Sequence, residues 1–170
     1  MELDLRKDYQ ALKEHLLQRI RDYSKSPNEG PDEEDDPIGL ITFGYQFDQA
    51  GWAALVFDTR PGAASDGYWQ SYIGENALDM EHWFEVSEEL CSAEKTVDII
   101  CHDGKTKKLL PDDDGQELVD SLGDLLRDLL MEANADGLFD PLPRSDDCGL
   151  VIEEHEGQYG WHTRIDGTEM

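Results

Sequence analysis

At 170 residues, with 40 acidic against 14 basic side chains, the chain carries a net charge of −26. Affinity for nucleic acid and for anionic membranes comes from lysine and arginine, so this balance argues against both and favours a basic protein partner. A chain of this length buries roughly 70% of its unfolded surface, so one domain over 1–170 folds without help from a disulfide or a metal.

The first element in chain order is a helix over 3–24. Leu5, Tyr9, Leu12, Leu16, Ile20 and Tyr23 recur at steps of three and four, which puts them on one face. "NEGPDEEDDP" (28–37) follows, with six acids, two prolines and no apolar residue. Like charges and the lack of anything to bury predict a mobile acidic loop there. "IGLITFGYQF" and "WAALVFDT", separated by "DQAG", read as a hairpin of two largely apolar strands, hence central ones.

"RPGAASDG" is a flexible connection, and "DGYWQSYIGENALDMEHWFE" (66–85) comes next, carrying five of the chain's aromatic rings. The glycines at 67 and 74 make Tyr68, Trp69 and Tyr72 too irregular for a long strand. From about 75 to 92 the pattern turns helical, capped by Asn76, with Leu78, Trp83, Val86 and Leu90 facing inward.

"TVDIICHDGKTKKLL" is a hairpin, and its Asp103-Gly104 pair predicts a type I′ turn. "PDDDGQELVDSLGDLLRDLLMEANADG" opens on proline and acids, shows leucines at helical spacing from Leu118 to Leu130, and closes on Gly137. "GLVIEEHEGQYGWHTRI" is a last hairpin around "EGQYG". Helix and hairpin alternating three times make an α+β fold, an antiparallel sheet built from hairpins with helices packed on it.

Four stretches hold residue types that carry chemistry. In "EEHEGQYGWH", Glu153, His155 and His162 are of metal-ligating type. Their spacing fits no H-E-x-x-H or C-x-x-C template, and strand alternation puts Glu154 and Glu156 on the face opposite Glu153 and His155. "PDDDGQELVD" fails as a calcium loop, because aligning Gly115 with its sixth position puts Leu110 at the first. Cys91 or Cys101 with His82 or His102 offers a thiol–imidazole pair. Alternation sends Cys101 and His102 to opposite faces, and carboxylates around Cys91 disfavour a thiolate. Three cysteines (Cys91, Cys101 and Cys148) with no C-x-x-C spacing read as reduced, buried thiols of a cytoplasmic protein.

The fourth stretch is the aromatic one. Tyrosine and tryptophan are enriched where partners are gripped, and they also plug joins between helix and sheet. Tyr68, Trp69 and Tyr72 are the rings with a claim to a partner, with Asp66, Glu75, Asp79 and Glu81 placed to orient it. No P-loop, G-x-G-x-x-G or G-x-S-x-G occurs. The leading reading is therefore a non-enzymatic acidic binding protein, with no cofactor and no metal. The alternatives are a metal-dependent or cryptic enzyme using His82, His102, His155 or His162 with nearby carboxylates, and a structural domain whose acidity serves solubility.

The strand pair "IGLITFGYQFDQAGWAALVFDT", the tryptophan-bearing "YWQSY" and "EHWFE", and the closing "LVIEEHEGQYGWHTRI" resemble the small acidic α+β proteins of bacterial toxin–immunity systems. That resemblance runs over most of the chain and implies a role in binding and neutralising a toxin through a non-catalytic acidic surface. It carries over no individual contact residue.

Overall fold

The computed structural model describes residues 2–25, 37–46, 52–58, 68–73, 96–110, 115–157 and 159–170, with backbone alone at 22–25, 46, 52–54, 56–58 and 68–73. The acidic loop 28–37, apart from Pro37, and the helix expected over 75–92 lie outside these residues.

Strand β1 (Glu2–Asp4) runs into helix α1 (Leu5–Lys25). Strands β2 (Ile38–Gln46), β3 (Trp52–Asp58), β4 (Tyr68–Ile73), β5 (Val97–Ile100) and β6 (Thr106–Leu109) follow, then helix α2 (Gln116–Ala135), β7 (Arg144–Glu154) and β8 (Gly160–Arg164). The first helix thus begins two residues later than its apolar spacing predicts, because Glu2–Asp4 pair with Asp98–Ile100 of β5. The α+β class holds, but the sheets are mixed. One has the order β1-β5-β6 and the other β4-β3-β2-β7-β8. β1 runs parallel to β5 and β2 parallel to β7, whereas the sequence predicts hairpin pairing throughout. Hairpins fix only the pairing of neighbours in sequence; which hairpins then meet is decided by burial across the whole chain.

Alternation explains how the large sheet meets the helices. Ile41, Phe43 and Tyr45 on β2 are buried, as are Leu55 on β3 and Cys148, Leu150 and Ile152 on β7. Register aligns Leu55 with Phe43, and Phe43 with Ile152. On α2, Leu118, Leu122, Leu125, Leu126, Leu129 and Leu130 form the facing stripe, and Tyr45 spans the layers by donating its hydroxyl to the Val119 carbonyl at 2.8 Å. α1 buries Leu5, Leu12, Leu16 and Ile20 in the same core, packs against α2, and reaches β4 and β5.

Two turns have a physical signature in the chain. The loop between β5 and β6 does form at Asp103-Gly104, but as three residues rather than two. Gly104 N–H donates to the Cys101 carbonyl at 2.9 Å and Cys101 N–H to that of Lys105 at 2.8 Å, with Gly104 at φ 83°. At the end of α2, Gly137 takes φ 71°. Its N–H bonds Asn134 and that of Leu138 bonds Ala133, so two of the last helical carbonyls are satisfied by a Schellman turn.

Candidate functional site

Two places on this frame gather the residues singled out in the sequence. The first is a depression of about 150 Å³ where the β5–β6 loop faces α2. Cys101 and His102 both line it, contrary to the expectation that alternation separates them. They lie just past the end of β5, in the turn, where the period of two no longer applies.

His102 Nε2 donates to Asp128 Oδ2 at 2.9 Å, and its ring stacks on Tyr9 with centroids 5.0 Å apart and planes 10° from parallel. Tyr9 in turn donates its hydroxyl to Glu132, which also receives Lys13 Nζ at 2.6 Å. The Lys13 ammonium, then the tyrosine hydroxyl, hold the Glu132 carboxyl below its ordinary range. Burial, and next the bond to Glu132, raise the Tyr9 phenol. One imidazole thus ties the β5–β6 loop to both helices.

The rest of the depression is a chain of ion pairs. Arg127 forks between Asp124, at 2.7 Å, and Asp128, at 2.9 and 3.0 Å. Lys107 reaches Glu117 at 2.7 Å and Lys105 reaches Asp103 at 2.6 Å. Tyr159 covers Gly123 and extends its hydroxyl to Asp124, 3.3 Å away; burial first, and that carboxylate second, push its phenol up to about 12.

These groups form a clamp. In an acid–base dyad the imidazole nitrogen remote from the carboxylate must reach substrate. Here that atom, His102 Nδ1, is buried with no hydrogen-bond partner among the described residues. Burial pushes the Cys101 thiol up, away from the thiolate that nucleophilic chemistry requires. Ser121 donates its hydroxyl to the Glu117 carbonyl at 2.6 Å. Cys148, wholly buried on β7, is pushed up to about 11 by desolvation.

The second place is β4. Tyr68, Trp69 and Tyr72 belong to a six-residue strand that pairs antiparallel with β3, from Asp58↔Tyr68 to Ala53↔Ile73. The irregular segment expected from the flanking glycines is therefore corrected to a strand: both glycines fall beyond its bounds, and tyrosine, tryptophan and isoleucine favour a paired strand. Trp69 lies opposite Phe57 and Tyr72 opposite Ala54, register positions on different faces of the strand. The four acids expected beside these rings (Asp66, Glu75, Asp79 and Glu81), together with His82 and Cys91, lie outside the described residues.

The "EEHEGQYGWH" residues do not converge. Glu154 is buried and accepts the Glu156 N–H at 2.7 Å, closing the turn after β7. Glu153 and His155 are exposed, and His155 belongs to the turn rather than to the strand. His162 sits across from Val151, well back along the hairpin from His155. Among the described residues, no three His, Cys, Asp or Glu side chains gather as a metal site. Sequence reasoning missed the clamp of Tyr9, His102 and Asp128. Its only local sign is that Tyr9 shares the apolar stripe of α1 while carrying a hydroxyl that must be satisfied.

No family model, curated protein or solved structure matches this chain.

Proposed function

We propose that the chain is a non-enzymatic, acidic binding protein that captures a basic partner protein, in the manner of an immunity protein neutralising a toxin. The observation that carries this is how its own cations are used. Arg6, Lys13, Lys105, Lys107, Lys108, Arg127 and Arg144 each lie within 4.0 Å of a carboxylate of the same chain. Seven of the 14 basic side chains are thus paired within the chain, and the acids outnumber the basic groups by 26, which leaves a strongly negative field around the molecule. Such a field accelerates encounter with a basic protein and orients it before short-range contacts form. Tyr68, Trp69 and Tyr72 then supply desolvated anchoring, with Asp66, Glu75, Asp79 and Glu81, their neighbours in sequence, to orient the partner.

Immobilised protein, incubated at low salt with lysate of the source cell, should retain a discrete protein of high isoelectric point. That protein, expressed alone in a heterologous host, should arrest growth, and co-expression of this chain should restore it. Retention of no protein, or only of neutral and acidic ones, overturns the reading; a basic partner without toxicity overturns the immunity role alone.

A further inference from the structure

The four sheet edges among the described residues are not alike. β8 is closed off at its end by the chain that follows it. Arg164 N–H donates to the Thr168 carbonyl at 2.9 Å, and the Arg164 guanidinium reaches the Glu169 carbonyl at 2.9 Å. β6 carries Lys107 and Lys108, and β1 is three residues long and bears Glu2 and Asp4. Blocking, charge and shortness are the devices by which proteins keep a sheet edge from recruiting another strand. Among the described residues β4 has none of them. "YWQSYI" is six residues long and holds no charge, no proline and no glycine, in a chain of which 32% is charged. Among the described residues no strand pairs with its outer side.

We infer that β4 is a docking edge, and that the partner adds an extended, lysine- or arginine-bearing segment to it as a sixth strand. This rests on the basic-partner reading and adds where and how that partner binds. Main-chain hydrogen bonds along β4 hold the segment, and alternate side chains of the added strand meet the two faces of the sheet. A second copy of this chain would offer the same edge, but would bring a further −26 with it, and that repulsion selects a cationic occupant.

The test uses two peptides of about ten residues, the length of a long strand, alternating lysine and valine. One is unmodified; the other is N-methylated at every second residue, which keeps its charge and removes the N–H groups of one edge. Binding is read at low salt by tryptophan fluorescence, and hydrogen exchange reports the amides of 68–73. The unmodified peptide should bind about tenfold tighter or better, and should slow exchange at alternate amides of β4. Equal affinity of the two peptides, or protection confined to other segments, overturns the docking edge while leaving attraction of basic partners standing. If neither peptide binds at low salt, both fall. Protection of the β4 amides by self-association, without peptide, assigns the edge to a second copy and overturns the proposal.

Discussion

Gly123 shows what one absent methyl group does here. A Cβ at this position would sit 2.5 Å from three atoms of the Tyr159 ring. Alanine would improve helix propensity by up to about 1 kcal/mol, but displacing a packed ring typically costs about 1–3 kcal/mol, and the Tyr159–Asp124 contact would go with it. Gly123→Ala should therefore lower stability by about 1 kcal/mol net, seen as a lower urea midpoint at unchanged slope. His15 gives a pH dependence of defined sign. Burial, and then Arg19 one turn further along α1, lower its pKa below the ordinary 6.5. As pH falls through 6.5 the unfolded chain takes up the proton before the folded one does, so the contribution is whole above that pH and is lost below it. The melting temperature should drop between pH 7.5 and 5.5, measured by circular dichroism, and His15→Gln should flatten that drop.

The elements differ in how far they can be read from the chain. α2 is legible through its body and its stop, since its leucine stripe and Gly137 state both in local terms; the proline and acids expected to open it, at 111–114, lie outside the described residues. Substituting that stop is informative. Gly137→Ala forces a left-handed residue to carry a Cβ, which would also come within 2.9 Å of Asp140 Oδ2. A loss of about 1–2 kcal/mol follows from the backbone conformation, and thermal unfolding with faster hydrogen exchange in the last turn of α2 would register it. The hairpins were legible for the same reason as α2: alternation and turn residues lie within a short window. The parallel pairing of β2 with β7 was not, because alternation states that a segment is a strand without naming its neighbour. The glycine flanks of β4 suggest irregularity for a related reason, since they speak locally while its partner β3 lies ten residues back in the chain. Likewise the Tyr9–His102–Asp128 clamp joins three elements distant in sequence, and no spacing rule reaches that far. What composition did state was the aromatic and uncharged character of "YWQSYI", which is the part of the candidate site that pairing alone could not supply.

At the scale of the whole molecule, one quantity dominates. A net charge of −26 on a chain that pairs seven of its 14 basic groups internally produces a field that no single residue accounts for. Screening acts on that field directly, since the Debye length shrinks from about 30 Å at 0.01 M salt to about 3 Å at 1 M. Intimate main-chain and aromatic contacts are touched far less. The central claim, capture of a basic partner by an acidic surface, is therefore tested most directly by the dissociation constant of the partner retained from lysate, measured across a salt titration. The account predicts weakening by about tenfold or more between roughly 0.05 and 0.5 M salt, carried mainly by a falling association rate. A dissociation constant that stays level over that range would contradict it.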